Sequence, residues 1–316
     1  MITLTQSAEL CEDQLVKGVA EEIVKECPMF RKLGFINVIG NSYAYVREDP
    51  NNMGSVGFHK PDDLLTESSA QFNKKHSYLY LLTGTVDVPN LIKKSRSDPM
   101  DQMVEQVKIK SKLMGHHFEE QIVYGSASTS DGFDGLHTWM AEEDTPASQR
   151  LTMATNATGA ALTMKKLDEA CDQAFKGGRP SFMLTTRKVI RNMAAYLRPV
   201  ASYQSERDEY GDYFLVWQGI PIFWCDAMLD TELCDDNGQF SAATGGATSS
   251  IFIVRVNEEN GFIGLQNGGI EKQVWDKLEN KDASRTRLTW YVGTALKSSL
   301  AVVRLCNITD ATAAAA

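Results

Sequence analysis

The spacing of apolar residues changes along this chain, and each change marks an element. Leu10, Leu15, Val16, Val19, Ile23 and Val24 recur mostly at three- and four-residue intervals, which predicts an amphipathic helix stopped by Pro28. A short strand is expected over residues 33–38. Residues 41–48 then alternate, with Tyr43 and Tyr45 on one face and Ala44 and Val46 on the other, as in a strand buried on at least one side. Asp49-Pro50-Asn51-Asn52-Met53-Gly54 is a dense turn signal. Residues 56–75 read as polar and irregular, and residues 78–88 as a β-rich return. Strand, polar excursion and returning strand describe an extended two-stranded arm over residues 38–85. An isolated hairpin is marginal in water, so this arm requires a partner surface.

Asp98-Pro99 opens the clearest helix, with Asp as N-cap and Pro at the first helical position. Met100, Met103, Val104, Val107, Met114, Phe118 and Ile122 form its apolar stripe, and Gly125 ends it. At 1.5 Å per residue the helix runs roughly 40 Å, a structural spine. Lys108, Lys112 and Glu119 define its opposite, solvated or interface-facing side. A Ser/Gly/Asp-rich loop follows over residues 126–135.

Beyond residue 151, Thr163 caps a helix carrying Leu167, Ala170, Cys171, Ala174 and Phe175, which Gly177-Gly178 terminates. A strand near residues 180–184 leads to a helix with Val189, Ile190, Met193, Ala194 and Leu197. Further strands are expected over 213–217 and 221–224, with Pro221 placing the second at an edge or a strand start. After the break at Gly245-Gly246 come strands over 251–256, 262–266, 272–275 and 287–292, then a last apolar run over 300–305. The layout is α+β, without strict βαβ alternation or internal repeats.

Composition narrows the function classes. The 316 residues, 43% hydrophobic and 23% charged, are ordinary for a soluble globular protein, and no apolar run nears the ~20 residues that span a bilayer. No secretory signal is expected, so the chain should fold in a cytoplasm. A net charge of −9 argues against a chain that seeks nucleic acid. Such a charge reads most simply as solubility, and it would also suit a surface lying near packed DNA without adhering to it. The six cysteines form no C-x-x-C pair, so buried reduced thiols are expected, not zinc ligands or disulfides.

The search for chemistry returns no catalytic, cofactor or metal signature. His116 and His117 are adjacent, whereas a helical metal site places histidines at i and i+4. Lys176-Gly177-Gly178-Arg179 lacks phosphate-loop spacing, and residues 125–129 do not form a nucleophile elbow. Glu142-Glu143-Asp144, Asp208-Glu209 and Asp235-Asp236 read most simply as solvated loop faces.

The C-terminal third carries a resemblance. Residues 249–255 and 261–266 resemble a strand pair of tailed-bacteriophage major capsid proteins with the Hong Kong 97 fold. Residues 285–295 and 301–308 are similar to that family's closing strands. Residues 15–19, 40–45, 133–136 and 219–222 also fit, so the likeness runs roughly from residue 8 to 308.

The resemblance implies an N-terminal arm and the lead-in to a peripheral domain over 1–37, and an extended loop over 38–85. It implies a peripheral domain with the spine helix over 86–150 and an axial domain over 151–250. Peripheral strands over 251–298 and a return to the axial domain over 299–316 complete it. The implied function is a structural subunit that self-assembles into hexamers and pentamers of an icosahedral head around the phage genome. Copies of itself, scaffolding and portal proteins, and non-specifically apposed double-stranded DNA are the implied partners, with no membrane. Assembly in the host cytoplasm is expected, with a separate scaffolding protein or none. Tyr43, Tyr45, Phe58, Lys60 and Phe72 are the expected intersubunit contacts. Some members of that family crosslink subunits through a lysine and an asparagine; Lys60 lies in the extended loop, but no isopeptide pair is identified. A nanocompartment shell around a cargo enzyme, or a soluble enzyme with a dispersed site, are the other readings.

Overall fold

Two mixed β-sheets and a long helix share one apolar interior in the computed structural model. It describes residues 2–3, 18, 23, 27–49, 54–60, 67–91, 99–129, 131–142, 145–154, 158–199, 205–207, 213–235 and 239–314. The helix expected near residues 10–24 lies mostly outside these, although Gly18 and Ile23 are helical.

The chain begins with β1 (Ile2–Thr3) and β2 (Gly34–Asn37), then the hairpin strands β3 (Ser42–Glu48) and β4 (Phe72–Tyr78), and β5 (Tyr80–Pro89). The spine helix α1 spans Pro99–Tyr124, and the short α2 spans Leu136–Ala141. After β6 (Arg150–Thr152) comes α3 (Met164–Gly177), where the Thr163 side chain accepts from the Lys166 amide as the expected cap. Next are β7 (Phe182–Thr185), α4 (Arg187–Leu197), β8 (Ser205–Arg207), β9 (Tyr213–Trp217) and β10 (Ile220–Trp224). The rest is β11 (Leu233–Cys234), β12 (Phe240–Ala242), β13 (Thr248–Val254), β14 (Phe262–Trp275), β15 (Ala283–Leu296) and β16 (Val302–Thr309). Among the described residues, no helix is long and apolar enough to cross a membrane.

The first sheet runs β1-β2-β14-β15-β5 and the second β6-β16-β13-β7-β10-β9-β8. In the first, β2 pairs parallel with β14, while β14–β15 and β15–β5 are antiparallel. β13 is buried along its whole length because both its faces are covered. Phe252 and Val254 point into the core shared with α1, whereas Ile251 and Ile253 point into a second core under α3 and α4. β13 runs past residue 250, and the chain leaves the second sheet only after Val254.

Three expectations are corrected. β14 is one strand where two were expected, because a bulge at Gly268-Gly269, both at positive φ, interrupts its alternation without ending it. The returning strand of the arm starts at Phe72, inside the stretch read as irregular, because β4 is exposed on both faces for most of its length. Glu119 is not on a solvated side: it is 1% exposed, beside the segment holding Ile23 and Cys27. Burial pushes its carboxyl up to about 8, against a hydrogen bond from Cys27.

The spine stripe packs as its spacing requires, with Val107, Met114, Phe118 and Ile122 buried. Phe118 meets Phe30 at 5.0 Å and Trp290 at 4.9 Å between ring centroids, which fixes the helix against β15. Full burial of such rings contributes roughly 2–3 kcal/mol each. The five described cysteines are buried and form no disulfide.

Candidate intersubunit surface

The hairpin β3–β4 pairs from Ser42↔Tyr78 to Glu48↔Phe72, and the pleat gives it two unlike faces. Tyr43, Tyr45 and Arg47 point inward. Tyr45 is buried with Val38, Leu79, Ile263, Leu265 and Ala295, and burial raises its phenol above the ordinary value. Tyr43 is half-buried, its ring 5.9 Å from that of Tyr45 and capped by the Lys297 ammonium at 5.1 Å.

Arg47 is fully buried. It pairs with Glu142 just beyond α2 and donates to the Leu296 carbonyl at 3.5 Å. Lys75, from the opposite strand, reaches the same Glu142 oxygen at 3.3 Å. Glu142, expected on a solvated loop face, instead anchors both limbs of the hairpin to the body. Its sequence neighbours give no hint of this, since Arg47 lies 95 residues away.

The outer face is the reverse. Val46 is 62% exposed, Phe72 59% and Tyr78 51%. Beyond the paired strands, Val56 and Phe58 stand fully in solvent and Lys60 is exposed. There the Ser55 amide donates to the Ser68 hydroxyl at 2.9 Å, which donates back to the Ser55 carbonyl at 3.0 Å, holding the two limbs together. A single chain thus leaves an apolar surface on a ribbon whose root is fixed. Patches of this kind mark association sites.

The five expected contact residues divide accordingly. Tyr45 lies inside its own subunit and Tyr43 leans on it, whereas Phe58, Lys60 and Phe72 face outward. Val46, Val56 and Tyr78 join the outward set. Val46 was already legible as the residue out of phase with the two tyrosines.

The polar cluster most like a catalytic dyad is sealed. Glu232 Oε1 lies 3.1 Å from His137 Nε2 and accepts from the Tyr124 hydroxyl at 2.6 Å. Glu232 Oε2 accepts from Ser250 and lies 3.6 Å from Arg304. The side chains of His137 and Glu232 are 2% and 0% exposed, so the group ties α1 and α2 to β13 and β16 of the second sheet and is closed to solvent. Burial raises the Glu232 carboxyl, but His137 and Arg304 outweigh it and hold the group down at about 2. Burial, helped by Arg304, lowers His137 to about 4. Of the carboxylates noted in the sequence, Asp235 accepts from the Gln239 amide at 2.6 Å, a local turn. Glu143, Asp144, Asp208, Glu209 and Asp236 lie outside the described residues.

Comparison with solved structures places this architecture. The SrpI encapsulin of Synechococcus elongatus PCC 7942 matches with a TM-score of 0.66 at 18% identity, over 89% of this chain and 87% of that one. The capsid of a native GTA particle matches at 0.59 and 14%, over 91% and 90%. Mycobacterium phage Adephagia matches at 0.56 and 11%, over 92% and 90%. At such identities the likeness shows the fold, the Hong Kong 97-type capsid fold. No curated protein matches the sequence. A family model does: the SU10 major capsid protein model matches residues 62–220, from within the arm through α1, α3 and α4 to the start of β10. With half of its length matched to that model and its whole fold matched to capsid shells, the chain belongs to the SU10 major capsid protein family.

Proposed function

We propose that this capsid subunit joins its neighbours through the outer face of the β3–β4 hairpin and the loop beyond it. The subunits assemble into hexamers and pentamers of the icosahedral head, and Phe58, Lys60 and Phe72 lie against the adjacent copy. Val46 and Tyr78 extend that contact, and Tyr43 and Tyr45 act from beneath by stiffening the root. The observation that carries the reading is the hairpin's two-sidedness: Arg47, Tyr45 and Lys75 fix one face to the chain's own body, while the other leaves apolar side chains in water. Contacts of this head-to-tail kind close into rings when the rotation permits, and several modest contacts per subunit give steep avidity.

In the same reading, residues 1–37 are the N-terminal arm and 38–85 the extended loop. The first sheet with α1 forms the peripheral domain, and the second sheet with α3 and α4 the axial domain around each capsomer's centre. β13 belongs to the axial part because it pairs with β16 and β7. Scaffolding and portal proteins are the further partners, and assembly takes place in the host cytoplasm. Packaged DNA lies against the shell without specific contacts, consistent with the net charge of −9.

The test replaces residues 50–71 with a two-residue turn, which preserves the paired strands and the Glu142 anchor. The expected product is a soluble, folded subunit that forms no shells in size-exclusion chromatography or negative-stain microscopy. Closed particles from that variant would overturn the assignment.

A further inference from the structure

One side-chain cluster lies apart from the proposed contact surface, on the spine helix. Cys27, His116 and Glu119 bring their ligand atoms within 4.8 Å of one another. His116 and Glu119 lie three residues apart on one flank of α1. Cys27 comes from the segment that crosses the helix at Gly115, whose missing side chain admits it: a Cβ there would stand 3.2 Å from the Cys27 sulfur and 3.3 Å from Ile23. A second, independent observation points to a ligand. Glu119 is 1% exposed, yet its Oε1 is buried with no hydrogen-bond partner among the described residues. Orphaned buried carboxylate oxygens are costly.

We infer that Cys27, His116 and Glu119 form a three-ligand site for a divalent transition-metal ion of the zinc class. Thiolate, imidazole and carboxylate together are the donor set such borderline ions take. Thiolate and carboxylate carry two negative charges between them, which a divalent ion cancels in a buried place. Binding sends to solvent both the Cys27 thiol proton and the proton that the buried Glu119 carboxyl holds at neutral pH. His116 is exposed at the rim of a cleft of about 500 Å³, also lined by His117 and Asp226, so an ion has a way in and water completes the coordination. The ion would staple the segment around Cys27 to the spine helix.

Cobalt(II) titration of the chelator-treated full-length protein tests this. The expected result is a thiolate-to-cobalt charge-transfer band with tetrahedral d–d absorption, saturating at one ion per chain and abolished by excess zinc. His116→Ala removes an exposed side chain, so the fold survives, as circular dichroism will verify. Loss of even an outer partner commonly weakens a metal site 10–100-fold, so loss of this ligand should raise the cobalt dissociation constant by at least about 100-fold. Cys27→Ser should abolish the charge-transfer band, and Cys171→Ser, at a buried thiol elsewhere, should leave it unchanged. Absence of the band in the parent protein, a cobalt dissociation constant unmoved by His116→Ala, or a band that survives Cys27→Ser would overturn the site.

Discussion

At the scale of single residues, the group around Glu232 makes the fold sensitive to acid. His137 is neutral in the folded chain because burial, and then Arg304, hold it down at about 4. The unfolded chain takes up that proton near pH 6.5, so stability is lost as pH falls from there towards 4. Glu232 adds a second loss at lower pH: its charge is kept to about 2 when folded, whereas the unfolded carboxyl protonates near 4.5. We therefore expect His137 and Glu232 to cost the unassembled subunit on the order of 2–3 kcal/mol between pH 7 and pH 4. Glu119 opposes this with a gain, because its raised carboxyl already holds a proton in the folded chain that the unfolded chain takes up only at lower pH. The loss is therefore read by urea denaturation as the difference between the parent and a His137 variant. His137→Gln keeps a donor towards Glu232 but cannot titrate, and should flatten that decline. An equally steep decline in the variant would show that another group senses the acid. None of this group was legible beforehand. His137 and Glu232 are 95 residues apart, and the Arg304 guanidinium reaches back 70 residues to Cys234. Buried polar networks depend on tertiary packing, and no local periodicity encodes them.

Elements were far more legible, because their signals are local. The spine helix, α3, α4 and the alternation of β3 follow from apolar spacing, and the structure reproduces each. β4 was missed because Phe72-Asn73-Lys74-Lys75-His76-Ser77-Tyr78 has almost no buried face to alternate with. Its position is set by register with β3 and by a crossing over β15. At that crossing a Cβ on Gly293 would stand 2.6 Å from the Tyr78 carbonyl oxygen, and Leu79 then turns the chain into β5, its amide donating to Asn41 at 3.0 Å. Gly293→Ala should push the hairpin root off the sheet, costing about 1–3 kcal/mol as overpacking does. Hydrogen exchange read by mass spectrometry should show faster exchange of the amides of β3 and β4, with α3 and α4 unchanged. If the loss of stability arrives without faster exchange in the hairpin, the crossing is not what fixes its root.

For the molecule as a whole, the proposed contact predicts that folding and association use different residues, and this separation can be tested. Phe58 and Phe72 contribute little to the single chain, since both stand largely in solvent. Replacing both with Ser should leave the monomer's stability within about 0.5 kcal/mol of the parent, as for ordinary surface changes. In an assembled head the same rings would be covered by a neighbour. Losing roughly 2 kcal/mol of burial at each then weakens one contact by more than about tenfold per ring. Where a subunit meets several neighbours through the proposed contacts, the concentration needed for assembly should rise steeply. Light scattering across a concentration series would register this as a shifted threshold. The net charge of −9 supplies a control. Added salt screens repulsion between like-charged subunits and should ease assembly of both proteins, without restoring the double variant to the parent's threshold. A threshold unmoved by the double substitution would mean that neighbouring subunits do not hold these rings. Rescue by salt alone would mean that charge, not apolar contact, governs the interface.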